Sequence, residues 1–598
     1  MLSMHASRKR QHPYSSCSLK EFHMFKVLTA VKVLATAAIA SLVALSAQAA
    51  DSISDFSLVD HNGKFFQLSR HTDKKAIVLF AHDDTRDVRR MVGELNEVMA
   101  QFDGQKVAFY MIDSSADASR AALVKIATKN EITLPILMDD SQIVAAELGI
   151  SQLGDVVVID PATKTVVYRG ALNNRYAEGS KARNASEHYV VDALTAVLAG
   201  NEVAAAEVVG NGDAIEFTLP AAASISYSND IVPILEQRCV SCHQEGGIAP
   251  FAMSNHQMIQ GWSPMIREVL YTKRMPPGQV DSLYVNDFHD VYHITVEESQ
   301  KLVQWIDAGA KNEDGTDALA KLRPVLAKWN HGEPDIIIQV PAQQIPATGV
   351  QDYRNLQIPL NLEKDVWVKA VEFVPGDSTV LHHIIAFAYG ADGMNEFDLL
   401  NQGIGLGAYA PGNSINTYPD ESGFPLKVGG GLMLQMHYTT TGKETTDASE
   451  IGLYLWDEPP ARQVLGGSAA ELEIDVPPFS TKEMVATKKF RKDSYLTMIG
   501  PHMHFRGYDA NFKLVYPDGR TEEILNVPNY QFNWQKTYDF KEPLFIPAGT
   551  EMVFTGTFDN TEMNPFNPDP SSTISWGEQT WQEMFFGFFR YVEADSNI

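Results

Sequence analysis

Glu551-Met552-Val553-Phe554-Thr555-Gly556-Thr557-Phe558 sets Met552, Phe554 and Phe558 on one side of an extended chain and Glu551, Thr555 and Thr557 on the other. A period of two marks a strand with one buried face. Residues 335–340 and 366–374 carry a similar texture, and Gly, Pro, Asn and Asp break the chain between such runs. From about Trp329 onward this predicts all-β sandwiches of the jelly-roll kind. The length suffices for two, over residues 329–460 and 461–598.

Upstream the texture changes. Residues 225–315 predict a small all-α domain. Asn229 to Arg238 is helical enough to set Cys239 and Cys242 three apart on one face. Thr295-Val296-Glu297-Glu298 reads as a capping box that opens a helix through Trp305 and ends near Gly309. His289 and His293 stand four apart and could share a helical face, most simply as a solvated pair. Residues 316–328 and the Ala-rich stretch 201–224 read as linkers. Residues 51–200 predict an α/β unit: a buried strand at 76–81, a helix at 87–102, a strand at 107–112, a helix near 118–129, and a hairpin from 156–160 and 165–170. At 598 residues the chain is too long for one core, and the fold class is multidomain.

The formal charge is −27, with 44% hydrophobic and 21% charged residues. Such acidity argues against nucleic acid or an anionic membrane as partner. Lys26 and Lys32 flank the start of an apolar run at 33–47 that ends in Ala47-Gln48-Ala49, so residues 1–49 read as an export signal. Cleavage would leave a periplasmic or secreted protein, and retention a membrane-anchored one. Met24-Phe25-Lys26 makes a more ordinary start than Met1. Beyond Cys17, only Cys239 and Cys242 remain. An exported chain with no thiols to spare for a disulfide holds its domains by packing.

Those two thiols belong to Cys239-Val240-Ser241-Cys242-His243, the attachment sequence of a c-type haem. The alternative is a disulfide or half a zinc site, but no further cysteines exist to complete a zinc cage. Downstream come His382-His383, then His437, then His502-Met503-His504, then Met584. Imidazole suits copper, zinc, iron or nickel, and a thioether adds a preference for Cu(I). Taken as His382, His383 and His437, and as His502, His504 and Met584, they would make two mononuclear copper sites. Residues two apart on a strand share a face, so His502 and His504 can meet one ion. His382 and His383 are adjacent and can do so only at a strand end or bulge. Any one of these histidines alone reads more simply as an ordinary core or surface residue.

Three resemblances follow from these residues. The element order over 51–200 resembles the thioredoxin-like fold of peroxiredoxins and thiol reductases. However, His82-Asp83-Asp84-Thr85-Arg86-Asp87 stands where the reactive cysteine should be, and Gly154 where the family has a cis-proline. Without a thiolate that reaction cannot run, so the expected role is docking or scaffolding. Residues 227–235 leading into Cys239 resemble the first helix of a cytochrome c. Arg274-Met275-Pro276-Pro277-Gly278 resembles its distal loop, which implies Met275 as sixth iron ligand, with Met253 and Met265 as alternatives.

Residues 329–598 resemble the copper type II, ascorbate-dependent monooxygenases, the peptidylglycine alpha-hydroxylating and dopamine beta-monooxygenase family. The carrying segments are Gly332-Glu333-Pro334-Asp335, Leu381-His382-His383, Gln435-Met436-His437-Tyr438, Gly500-Pro501-His502-Met503-His504-Phe505-Arg506-Gly507, and the tract from Asn560 to Met584. The resemblance implies that His382, His383 and His437 hold an electron-transfer copper, and that His502, His504 and Met584 hold the copper that activates O2. Inserting one oxygen atom into a C–H bond consumes two electrons, and one copper stores one. The haem is therefore expected to feed the His382/His383/His437 copper. An external donor, ascorbate or a periplasmic redox protein, would supply the haem. Peptide-processing relatives carry polar substrate anchors where this chain has Gly500, Phe586 and Phe588, so the expected substrate is a less polar, non-peptide small molecule. A second reading is an electron-transfer or copper-binding protein without oxygenase turnover. A third is a scaffold that docks a partner through residues 51–200.

Overall fold

The computed structural model describes residues 51–595 apart from 246, 248, 279, 292, 314, 323–326, 394–404 and 412–413. The expected signal segment 1–49, the Met24 start and Cys17 lie outside the described residues.

The first region is a mixed sheet with helices on both faces. Ala76–Ala81, Val107–Asp113 and Ile136–Met138 run parallel. Val156–Asp160 pairs antiparallel with Ala76–Ala81, and Thr165–Gly170 closes the hairpin. All six residues of Ala76–Ala81 are buried, as a central strand covered from both sides requires. Val78 and Phe80 pack under the helices Arg86–Gln101, Arg120–Lys129 and Tyr189–Leu198. Ile77 and Leu79 face the helix Ile143–Leu148 and, beyond it, Tyr271 and Val303 of the helical region.

The stretch 201–224 is more than the bare linker its composition suggests. Leu153 N–H donates to Asp213 O at 2.8 Å and Ile215 N–H to Ser151 O at 2.9 Å. Gln142 donates to Glu216 O and accepts from Thr218 N–H. An Ala-rich composition lowers side-chain interactions but leaves the backbone donors, and these find partners on the 151–154 loop.

In the helical region, residues 227–240 run on as one helical stretch, followed by His256–Tyr271 and Val296–Asp307. Thr295 Oγ1 accepts from Glu298 N–H at 3.2 Å and Glu298 accepts from Thr295 N–H at 2.9 Å, closing the capping box. Ile231, Leu235, Ile259, Leu302 and Trp305 form the core. The helical face expected for His289 and His293 is absent. The chain at 287–289 runs along the strand Tyr538–Ile546, with His289 N–H donating to Asp539 O at 2.8 Å and Phe288 bridging Phe540.

The remainder is β. One long sheet runs in the order Ile336–Gln339, Glu450–Leu455, Val366–Val374, Ser422–Leu426, Arg462–Ala470, Phe586–Glu593, Ser494–His502, Tyr538–Ile546. A second sheet of Arg354–Pro359, Gly431–Tyr438, Leu381–Tyr389 and Gly407–Tyr409 packs on its first half. A third, of Thr481–Lys489, Glu551–Asp559, Gly507–Val515 and Thr521–Val527, packs on its second half, where Met552, Phe554 and Phe558 are fully buried. The two sandwiches share a sheet because Ser422 and Gly423 pair parallel with Arg462 and Gln463. No helix among the described residues is long and apolar enough to cross a membrane.

Candidate functional site

Leu381–Tyr389 lies antiparallel to Gly431–Tyr438. Leu381 faces Tyr438 and His383 faces His437, so His382 is the extra residue of a bulge. The bulge undoes the alternation that would send adjacent side chains to opposite faces. His382 Nδ1 and His383 Nδ1 come within 3.1 Å, and with His437 the three residues bring ring nitrogens within 4.8 Å of one another. Tyr353 stacks on His437 at 4.7 Å and Phe532 on His382 at 4.8 Å between ring centres. His383 Nε2 and His437 Nδ1 are buried without a hydrogen-bond partner among the described residues. Burial lowers the pKa of His382 to about 4, of His437 to about 3, and of His383 well below the ordinary range. The imidazoles are therefore neutral at neutral pH, with lone pairs available to a cation.

His502 ends the strand Ser494–His502 and faces Phe586 across the ladder. The ladder ends at that pair, and Met584 lies two residues beyond it on the facing segment. Glu583 fastens this end: its carboxylate accepts from His504 N–H at 2.7 Å and from Arg506 N–H at 2.8 Å. Burial raises the Glu583 carboxyl to about 8. His502 Nδ1 lies 2.6 Å from Gln535 Oε1 and His504 Nδ1 3.1 Å from Gln582 O. Both partners are acceptors, so each Nδ1 carries the proton and each Nε2 keeps its lone pair. His504 Nε2 is buried and without a partner among the described residues. The two rings stand 5.3 Å apart and nearly perpendicular. Met584 packs among Met433, Met498, Ile385, Phe387, Phe586 and Phe588. Phe588 lies 5.9 Å from His502 and stacks on Phe586, so the surface beside Met584 is apolar.

The two histidine groups come from separate sandwiches and lie face to face. The His383 and His502 rings are 6.5 Å apart. Phe532 touches both groups, 4.8 Å from His382 and 5.7 Å from His504. The five imidazoles form one connected cluster between the sandwiches.

Cys239, Cys242, His243, Met253, Met265 and Met275 line one apolar cavity of about 310 Å³. The cysteines are unbridged. Burial pushes the Cys239 thiol up to about 12 and the Cys242 thiol upward. His243 Nδ1 is held by Phe251 O at 3.1 Å, which leaves its other nitrogen as the acceptor. Two protonated thiols, an oriented imidazole and thioethers around one apolar space fit a covalently attached haem. All three methionines line the cavity, so the cavity wall holds Met275 together with both alternatives.

In the first region, His82 Nδ1 lies 3.3 Å from Asp113 Oδ2, both buried, and the chain has no cysteine between residues 51 and 238. Gly154 takes φ +84°, and a Cβ there would meet Met91 Sδ at 2.6 Å. Sequence spacing misses Tyr353, Phe532 and Gln535. They come from segments with no ligand pattern and are visible only once the sheets bring them to the cluster. Glu583 had a usable signal, its place beside Met584.

Residues 49–169 match the AhpC/TSA family. Among solved structures, a hypothetical protein from Sinorhizobium meliloti 1021 is 21% identical over 29% of this chain and 98% of its own, with a TM-score of 0.26. An uncharacterized conserved protein from Geobacillus kaustophilus is 22% identical over 29% of this chain and 93% of its own, with a TM-score of 0.23. Peroxidoxin BcpB from Mycobacterium tuberculosis is 20% identical over 25% and 93%, with a TM-score of 0.19. No curated protein matches the chain. Residues 49–169 are thus a thioredoxin-like domain of the AhpC/TSA (redoxin) family, set in a multidomain chain rich in β-sheet.

Proposed function

We propose that residues 329–598 form a copper monooxygenase that uses O2 to hydroxylate a C–H bond of a non-peptide, apolar small molecule, with electrons relayed through a haem c at Cys239, Cys242 and His243. One observation carries this reading: five buried, neutral imidazoles converge, and His383, His437 and His504 each keep a ring nitrogen with no hydrogen-bond partner among the described residues. When bound, two coppers supply one electron each and the activation of O2, and the haem supplies electrons singly. His382, His383 and His437 would hold one ion, and His502, His504 and Met584 the other. Gln535 and Gln582 O keep the protons of His502 and His504 on Nδ1. Phe586, Phe588 and Met433 exclude water beside Met584 and present an apolar face to substrate.

An exported location would allow haem attachment, and an external donor such as ascorbate or a periplasmic redox protein would recharge the haem. The redoxin domain would serve as a scaffold, since its 151–154 loop already binds residues 213 and 215 of its own chain. The test is anaerobic reduction of the copper-loaded, haem-loaded protein. Addition of O2 with candidate hydrocarbons, aromatics and amines follows, read by mass spectrometry. Two bound coppers and a product heavier by one oxygen atom are expected. Copper binding without any such product would leave an electron-transfer protein.

A further inference from the structure

The CxxCH cavity and the histidine cluster share a wall. Phe532–Trp534 is a single 3-10 turn, and Gln535 follows with φ −75° and ψ 71°. Lys536 N–H donates back to Trp534 O at 2.8 Å, which makes Gln535 the centre of an inverse γ-turn. The turn sends neighbouring side chains different ways. Trp534 and Lys536 line the CxxCH cavity, while Gln535 between them reaches His502. Phe532, three residues before Gln535, stacks on His382. The wall is also tied to the helical region: Lys536 Nζ donates to Asp290 O, and Tyr538 Oη donates to Gly278 O at 3.2 Å.

We propose that this wall makes the CxxCH cavity a positioning device for the histidine cluster: a haem that fills the cavity fixes Trp534 and Lys536, and through them holds Gln535 against His502. The inference rests on the preceding reading, that haem and copper are both resident. A γ-turn closes a ring over three residues and has no slack, so a shift of Trp534 must move the Gln535 peptide. The Gln535 Nε2 is buried without a partner, so the carboxamide is steered by its bond to His502 and by its own backbone. A hydrogen-bond partner of a metal-binding imidazole sets its tautomer and ring orientation, and losing it typically costs about 10–100-fold in metal affinity. Gln535 is thus a positioning residue for His502, and the cavity is what keeps it in position.

The test uses the full-length, haem-loaded protein titrated with Cu(II) against a competing chelator, with the copper EPR spectrum as second readout and no turnover. Gln535→Leu and Trp534→Leu are each expected to weaken one of the two coppers by about 10–100-fold and to change its hyperfine splitting. Trp534→Phe restores both, and Gln535→Glu keeps the affinity while changing the splitting. The Cys239→Ala/Cys242→Ala chain, with the cavity empty, shows the loss seen in Trp534→Leu. Should Trp534→Leu fail to fold by circular dichroism, Lys536→Met carries the same test. Wild-type affinity in both cavity-wall variants, beside a loss in Gln535→Leu, overturns the coupling while the proposed function stands. A wild-type chain that takes up no copper overturns the proposed function, and the coupling falls with it.

Discussion

The redoxin domain and the histidine cluster both bury polar side chains, and they treat them differently. Asp139 is buried and accepts from Ala145 N–H, Val144 N–H and Ser114 Oγ. Gln142, also buried, donates to Ser114 O and Glu216 O and accepts from Thr218. His82 is matched to Asp113. In the cluster, His383, His437 and His504 are no less buried, yet each keeps a nitrogen without a protein partner. A buried polar group left unpaired costs about 1–3 kcal/mol. Asp139, Gln142 and His82 of the redoxin domain are structural, bonded within the fold. In the cluster the unpaired nitrogens are the donor set that the proposed copper reading requires. The same burial therefore supports opposite conclusions about function, and the hydrogen-bond accounting decides between them.

Four experiments would break or sharpen that contrast. His437→Ala and His504→Ala are each expected to lower copper content from two ions to one and to abolish O2-dependent product. His82→Leu should retain both, and a His82→Leu protein with full copper but no product would erase the distinction. Next in size is the chemistry of Cys239. Its thiol is raised from 9.0 to about 12 by burial, so the reactive thiolate is scarce at neutral pH, about a thousandfold below an ordinary thiol. Alkylation of the haem-free chain should accordingly be slow at pH 7 and climb with pH up to about 12. Fast alkylation at pH 7 would return the CxxC to the redox thiols. Each copper, at a hundredfold excess over its Kd, should stabilise the protein by about 2.7 kcal/mol. Hydrogen exchange should slow around 381–385 and 502–504 and stay unchanged in Ala76–Ala81. Smallest, Gln142→Ala strips partners from Thr218 N–H and Glu216 O and should cost about 1–3 kcal/mol. Exchange would rise at 214–218 while copper affinity holds.

Local chemistry made much of this fold legible. The helix Val296–Asp307 is announced by its capping box, because both bonds lie within four residues. Ala76–Ala81 and Thr165–Gly170 are readable from apolar runs and alternation. The adjacency of His382 and His383 demands an irregular strand, and the register slips there. What the sequence conceals depends on distant partners. The spacing of His289 and His293 allows a shared helical face, but the chain at 287–289 exchanges backbone hydrogen bonds with Tyr538–Ile546, some 250 residues away. The stretch 201–224 hides its ties for the same reason, since its backbone groups bond to a loop whose side chains reveal nothing. Gln535 belongs to no motif, and only the γ-turn and the approach of the two sandwiches give it a place beside His502.

The exposure of the five imidazoles has a kinetic consequence. His382, His383, His437, His502 and His504 are 6%, 2%, 4%, 5% and 0% accessible. A copper ion held by these ligands, as proposed, would enter and leave only when the surrounding strands open. Exchange then runs on a clock kept by the polypeptide. A chelator mixed with the loaded protein should strip the metal at a rate that stops rising with chelator concentration, and that plateau is the frequency with which the sandwiches part.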